Sequence, residues 1–373
     1  MGSSSLHEPL VSVCMVCYNH AAYVGEAISS VLEQTLTNFE LHILDNGSTD
    51  ETLSIIRSFS DERITVDTLT ENVHSTCAAN ILLQRARGKY VALICSDDVW
   101  YPEKLERQVA YLEAHSHCAA VFSRVEVIDE RSRPYKFPTA YDCQFNLQPN
   151  RAAVSWLRFL YGFDNPFCCS SVVLRLTAWQ ECGPYDERSR NVQDLLLWTR
   201  ILFRYDVHIL EQKLTRMRYF SRRTNMSATS RANMVLSANE AQLFYAIFYA
   251  ELTADLFLKI FADCSPLIRV IGERDPQLAL ARHTLAVVPN ASASDYAMRI
   301  LYSLTKTSDQ RRLLRQQYGF GILDLYALAE NADVYGMRRS LFREAFREAA
   351  KKILHHLHLL IPLKYYLIKR ALR

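Results

Sequence analysis

No run of 18 apolar residues occurs in the 373 residues of this chain, so no segment is expected to span a bilayer. The opening Met-Gly-Ser-Ser-Ser lacks the apolar core of a signal peptide, which points to a cytosolic protein. Ten cysteines are present, but they are scattered, Cys168 and Cys169 are adjacent, and no CxxC…HxxxH spacing exists. That argues against a zinc knuckle or a disulfide-stapled scaffold and reads the thiols as small buried hydrophobes in a reducing compartment. Neither GxxxxGK(S/T) nor GxGxxG occurs, which removes the usual phosphate-cradling loops. Internal repeats and low-complexity segments are absent too.

The chain does hold an ordinary globular composition, 49% hydrophobic and 22% charged, which excludes a disordered chain, a collagen-like fibre or a coiled coil. Its length calls for two or three units, since single cores rarely grow past roughly 250 residues. The net charge is only +3, from 43 Lys/Arg against 40 Asp/Glu, but it is unevenly spread. Between Arg338 and Arg373 ten basic residues face two acids, a balance of +8 that leaves the rest of the chain at −5.

Residues 10 to 123 alternate strand and helix patterns. Leu10 to Val16 is a near-continuous apolar run, as in a strand buried on both faces, and Ala27, Ile28, Val31 and Leu32 follow at helical spacing. Phe39 to Leu44 reads as a second strand, then Ser48 and Glu51 stand at capping-box spacing before Leu53, Ile56 and Phe59. Arg63 to Asp67 is a third strand. Ser75 to Arg87 is a helix with Gly88 placed to close it in a left-handed conformation. Tyr90 to Cys95 is a fourth strand, Pro102 opens a helix carrying Leu105, Val109 and Leu112, and Cys118 to Ser123 is a fifth strand.

Repeated strand–helix units predict a mostly parallel sheet covered on both faces, with ligands at the carboxyl ends of the strands. Three polar clusters fall at such ends: Tyr18-Asn19, Asp45-Asn46 and Asp97-Asp98. A nucleotide site built from carboxylates is the expectation. Residues 135 to 230 are less regular, and from 231 the pattern turns helical.

Four segments in order then carry a family resemblance: Val11-Ser-Val-Cys-Met-Val-Cys-Tyr-Asn19, Leu44-Asp-Asn-Gly-Ser-Thr-Asp50, Gly88-Lys-Tyr90 and Cys95-Ser-Asp-Asp-Val-Trp-Tyr-Pro102. Together they resemble the nucleotide-sugar half of the family 2 glycosyltransferases. Gly183-Pro-Tyr-Asp186, Gln193-Asp-Leu-Leu-Leu-Trp198 and Leu214-Thr-Arg-Met-Arg218 are similar to that family's acceptor half. The resemblance implies an α/β chain of GT-A fold, a Rossmann-like mostly parallel sheet, with a C-terminal helical extension. The units implied are 9–134 for the nucleotide sugar, 135–230 for the acceptor, 231–337 as a helical region and 338–373 as a basic amphipathic tail.

By position in those motifs, Asp97 is implied as a ligand of Mg²⁺ or Mn²⁺, with Asp98 supporting it or meeting the acceptor. Hard carboxylate oxygens suit those ions, which neutralise a departing diphosphate. Asp45 is implied to accept a hydrogen bond from the base of UDP, dTDP or GDP, and Tyr18 and Asn19 fall where base and diphosphate contacts belong. Asp194 is implied as the base that deprotonates the acceptor hydroxyl in an inverting displacement. Cys95 stands where the family often has a first Asp, which moves the ribose contact to Ser96. Phe220 stands where many relatives place a metal-binding His, which turns attention to Arg218, Arg222 and Arg223 as diphosphate contacts.

The function so implied is an inverting hexosyltransferase-like enzyme of bacterial surface-polysaccharide assembly, acting on a glycan or lipid-linked glycan. Its place is the inner face of the cell membrane. The tail suits an anionic membrane surface, because Leu341, Phe342, Ala345, Phe346 and Ala349 share one helical stripe beside Arg339, Arg343, Arg347 and Lys351. No nucleic-acid partner is expected, since His355 to Leu363 is too apolar for a phosphate groove. The alternative is a nucleotide-sugar-binding protein without catalysis, prompted by Cys95 and Phe220.

Overall fold

The apolar run near the start of the chain forms β1, Val11–Cys17, in the interior of a sheet, with Val11, Val13, Met15 and Cys17 fully buried. The structure, a computed structural model, describes residues 8–135, 144–162, 165–220, 230–288 and 290–332. Arg222, Arg223 and the tail from Arg338 to Arg373 lie outside the described residues. The chain divides into two compact units, Met1–Pro276 and Gln277–Arg373.

The first unit carries β2 (Phe39–Asp45), β3 (Ile64–Thr68), β4 (Tyr90–Cys95), β5 (Val99–Trp100), β6 (Cys118–Ile128), β7 (Val173–Arg175) and β8 (Asp206–Arg218). Their order across one sheet is β3-β2-β1-β4-β7-β6-β8-β5. The β3 to β4 half is parallel throughout, as the strand–helix alternation requires. The other half is mixed: β7 runs antiparallel to β4 and β6, β8 runs parallel to β6, and β5 closes the edge antiparallel to β8.

Helices α1 (Val24–Leu32), α2 (Thr52–Ser58), α3 (Ser75–Leu83) and α4 (Lys104–Ala114) connect these strands. On α1 the residues Val24, Ala27, Ile28 and Val31 recur at i, i+3, i+4 and i+7 and are fully buried in the core of β1, β2 and β4. Burial of each such Val or Ile contributes about 1.5–3 kcal/mol. On α4 the expected Leu105, Val109 and Leu112 form the buried stripe.

Three local expectations change. The capping box of Ser48 and Glu51 does not form; Asp50 instead accepts from the Thr52 N–H and the Thr52 hydroxyl as α2 begins. The third helix stops at Leu83, and Gly88 has no positive φ. Glycine is needed there for another reason: a Cβ would lie 2.6 Å from the Ser12 nitrogen and 2.9 Å from the Val11 carbonyl carbon. The N–H groups of Arg87 and Gly88 both donate to the Ser12 hydroxyl, which donates to buried Glu40. Cys14 and Cys17, a CxxC spacing, lie within β1, where residues three apart face opposite sides of the sheet, so they form no knuckle.

Downstream come α5 (Ala153–Leu160), a 3₁₀ turn at Cys169–Ser171, α6 (Leu176–Cys182) and α7 (Gln193–Leu202). An aromatic cluster ties α5 and α7 to β6. Phe122 stacks on Phe167 at 4.6 Å and meets Trp198 edge-on at 5.0 Å, while Trp156 lies 4.9 Å from Phe167. Every described element from Arg231 on is a helix: α8 (Arg231–Glu251), α9 (Ala254–Ile260), α10 (Pro266–Gly272) and α11 (Pro276–Val287). The second unit continues with α12 (Ala291–Leu304), α13 (Ser308–Tyr318) and α14 (Ile322–Asn331). Asn290 caps α12, and Thr307 with Gln310 forms a capping box on α13.

Candidate active site at the carboxyl edge of the sheet

Parallel register brings the first two polar clusters together. Cys17 pairs with Asp45 and Val16 with Cys95, so the loops after β1, β2 and β4 leave the sheet side by side. Asn19, in a left-handed conformation at φ 52°, locks two of them. Its side-chain oxygen accepts from the Thr49 N–H at 2.8 Å, and its own N–H donates to the Ser48 hydroxyl at 3.0 Å. Asn46 donates its N–H to the Cys17 carbonyl and clamps Asn72 and Val73 through its side chain. Gly47, at φ 74°, lets that 71–74 segment approach, since a Cβ would stand 2.7 Å from the Glu71 carbonyl carbon.

Asp45 is only 2% exposed. One carboxylate oxygen accepts from the Ser48 N–H at 3.2 Å, and the other is buried with no hydrogen-bond partner. A buried carboxylate oxygen without a donor costs free energy, so an N–H supplied to this atom would be stabilising. Tyr18, which follows β1 directly, is 40% exposed.

The acidic loop spans the gap between β4 and β5. Ser96 is buried, its hydroxyl 2.8 Å from His20 Nδ1, and the His20 N–H is anchored on the Thr52 hydroxyl. One carboxylate oxygen each of Asp97 and Asp98 and the thiol of Cys95 lie within 4.8 Å of one another. Burial pushes the Asp97 carboxyl up, against the pull of His20 and Arg218. Burial and then the Asp97 charge push Asp98 up to about 8, partly offset by the Arg218 N–H that it accepts at 2.8 Å. Two carboxylates this close together, one half-buried and one buried, are hard oxygen donors of the kind that could hold a divalent cation.

Arg218, read from the resemblance as a diphosphate contact, is instead 1% exposed and lies beneath this loop. Its guanidinium donates to the carbonyls of Asp97 and Asp129, the Ser132 hydroxyl and the Glu26 carboxylate, and covers the Tyr23 ring. It holds the acidic pair from behind. Phe220 packs edge-on against Tyr23 at 5.3 Å in the same layer.

Asp194 lies in the first turn of α7, whose Leu195, Leu196, Leu197, Trp198, Ile201 and Leu202 are buried. The segment entering α7 is fixed from α8, where buried Glu240 accepts the N–H groups of Arg190, Asn191 and Val192 and the Ser189 hydroxyl. Asp194 accepts from the Leu195 N–H at 2.8 Å and from the Asn165 side-chain amide at 2.9 Å. Burial nonetheless raises its carboxyl to about 6. Cys169 feels the charge of both Asp194 and Asp98: its thiol is pushed up to about 12, by burial first and then by Asp194, with Asp98 a smaller influence.

The structure thus gathers Asn19, Asp45, Ser96, Asp97, Asp98 and Asp194 along one edge and sets Arg218 below it. Sequence reasoning missed His20, Asn165, Cys169 and Glu240. Only His20, next to the Tyr-Asn pair, stood within a recognisable motif.

The family model described as "Glycosyl transferase family 2" matches residues 12–170. The chain is 31% identical over 198 residues to the Bacillus subtilis protein named as glycosyltransferase EpsE, covering 52% of this chain and 66% of that one. It is 30% identical over 193 residues to the Escherichia coli UDP-Glc:alpha-D-GlcNAc-diphosphoundecaprenol beta-1,3-glucosyltransferase WfgD, covering 52% of this chain and 70% of WfgD. Against several curated relatives the chain spans only about half of the relative's own length, from 39% to 66%. Among solved structures, S. aureus TarS 1-349 in complex with UDP aligns with a TM-score of 0.52 at 18% identity, covering 83% of this chain and 91% of that one. That likeness bears out the GT-A fold.

Proposed function

This chain belongs to glycosyl transferase family 2, and we propose that it moves a sugar, with inversion, from a nucleoside-diphosphate sugar to a glycan hydroxyl in bacterial surface-polysaccharide assembly. The observation that carries the reading is the Asp194 carboxylate held by the Asn165 amide and the Leu195 N–H, whose charge acts on Cys169 together with that of Asp98, in a chain whose sheet also presents the orphan oxygen of Asp45. A family member without catalysis would need no half-buried carboxylate held by a dedicated side-chain amide at that place.

Each residue has a task in this reading. The free oxygen of Asp45 accepts the ring N–H of uracil, thymine or guanine, and Tyr18 borders the base. Asn19 and Ser96 keep the loops around the nucleotide in register. Asp97 and Asp98 hold Mg²⁺ or Mn²⁺, which supplies the positive charge that eases departure of the diphosphate. Asp194 accepts the proton of the attacking hydroxyl on the opposite side of the sugar, so a single displacement inverts the anomeric carbon.

A uridine donor has the most support, since WfgD is named for UDP-Glc and TarS is solved with UDP and with UDP-GlcNAc. WfgD's named acceptor is a diphosphoundecaprenol-linked sugar, which favours a lipid-linked glycan here. A melting-temperature screen of UDP, dTDP, GDP and CDP with and without Mn²⁺ tests the site. UDP should raise the midpoint only with Mn²⁺, by an amount set by the ~2.7 kcal/mol gained at 100 times Kd. CDP should not, because cytosine has no N–H at the ring nitrogen Asp45 would meet. An equal response to CDP removes Asp45 from base reading.

We place the enzyme at the cytoplasmic face of the membrane, held there by residues 338–373. No described helix is long and apolar enough to cross a membrane. Full-length protein should co-sediment with anionic vesicles at low salt, and a chain ending at Gly336 should not, at about 1 kcal/mol per basic residue near the surface. Full-length protein that ignores such vesicles rules the tail out as an anchor.

A further inference from the structure

Asp194 is a half-buried carboxylate that forms no ion pair with any lysine, arginine or histidine among the described residues. The described elements around it supply these neighbours. Its own helix offers the Leu195 N–H, the loop before the 3₁₀ turn offers the Asn165 amide, and the turn and the segment after α6 bring the thiol of Cys169 and the hydroxyl of Tyr185. Among the described residues the donors that oppose desolvation are the N–H groups of Leu195 and of Asp194 itself and the Asn165 amide, and only the last is a side chain.

That side chain cannot turn round. The Asn165 oxygen accepts the Phe167 N–H at 3.1 Å, and the Asn165 carbonyl accepts from the Gln144 side chain. Phe167 is itself clamped between Phe122 and Trp156. Flipping the amide would set N–H against N–H at Phe167 and oxygen against the carboxylate of Asp194. The NH₂ group is thus committed to Asp194.

Resting on the reading of Asp194 as the base, we propose that Asn165 is its positioning residue: it fixes the orientation of the carboxylate and keeps it ionised at neutral pH. The two bonds use one lone pair on each oxygen of Asp194, and a carboxylate has about four acceptor sites, so a direction remains open to the acceptor hydroxyl. The Leu195 bond is built into the helix turn and cannot be tuned. Asn165 is the adjustable half of the cradle.

The test is a pH–rate series on the full chain with donor, Mn²⁺ and acceptor. Asn165→Ala removes the donor, so the acid limb of kcat/KM should move to higher pH and the rate near pH 6 should fall about tenfold or more, while the KM for donor stays near wild type. The deficit should shrink as pH rises, because Asp194 then ionises without help. Asn165→Asp keeps the volume and the bond to Phe167 but sets a carboxylate against a carboxylate, so its acid limb should move further in the same direction. It carries the test if Asn165→Ala does not fold. A loss that is the same at every pH, or an unmoved acid limb in Asn165→Asp, makes Asn165 a packing residue only. Near-normal turnover in Asp194→Asn is a different result, which removes the base itself rather than its support.

Discussion

Asp194→Asn should bind donor nucleotide as wild type does and turn over at least roughly a hundredfold more slowly, the amount a general base supplies. The variant preserves shape but not chemistry. Its amide has no basicity, and whichever way it faces it meets a donor at Asn165 and another at Leu195, so one of its own N–H groups opposes an N–H. The wild-type enzyme should also show where the base titrates. Burial lifts the Asp194 carboxyl to about 6, and the base works only when ionised, so turnover should hold above that pH and fall as pH drops through it. The acid limb should be missing from whatever residual rate Asp194→Asn retains. Donor affinity by calorimetry, with kcat over a pH series, decides the matter; turnover near normal would move the base to another carboxylate, Asp98 being next in line.

How much of this was legible beforehand depends on the range of the interaction concerned. Burial on both faces writes itself into β1 as an unbroken apolar run, and the 3.6-residue stripe of α1 is equally local. The carboxyl ends of β1, β2 and β4 follow from parallel register, so Asp45 and the acidic pair could be placed on one edge without coordinates. The short antiparallel strands of the sheet were not legible. β5 has two residues and β7 three, and each exists only because a distant strand supplies its partners. Long-range polar contacts were hidden for the same reason. Nothing near Asn165 in sequence points to Asp194, 29 residues on, and nothing near Glu240 points to the loop it caps. Gly88 looked like a helix end because the helical pattern ran up to it, while its real constraint is the backbone of β1, 76 residues earlier in the chain. Arg218 shows the limit of motif transfer: an arginine in the expected stretch was read as facing the ligand, whereas β8 turns its side chain under the acidic loop.

Asp97→Ala should abolish the metal-dependent part of nucleotide binding and, in the same protein, make the metal-free fold less sensitive to pH. The two effects have one cause. Asp98 is buried, and after burial the largest influence lifting its carboxyl to about 8 is the charge of Asp97. A carboxyl whose folded value lies above its unfolded value, near 4, favours the folded state when protonated. That contribution is complete below about pH 4 and is lost as pH rises through about 8. Metal-free wild type should therefore melt lower at pH 8 than at pH 5.5 from this site, and Mn²⁺ should recover the difference by giving both carboxylates a counter-charge. Removing Asp97 takes away that like charge, so the metal-free variant should lose less stability over the same interval. It should also lose the rise in melting temperature that UDP with Mn²⁺ gives wild type, because one oxygen ligand and the Cys95 thiol are a poor donor set for a hard cation. The site would then be more comfortable and no longer useful, as expected where a function keeps two acids side by side. Melting curves of both proteins at the two pH values, with and without Mn²⁺ and UDP, contain the whole argument. If Asp97→Ala binds UDP in Mn²⁺ as tightly as wild type, the acidic pair does not hold the metal, and the pH dependence alone survives.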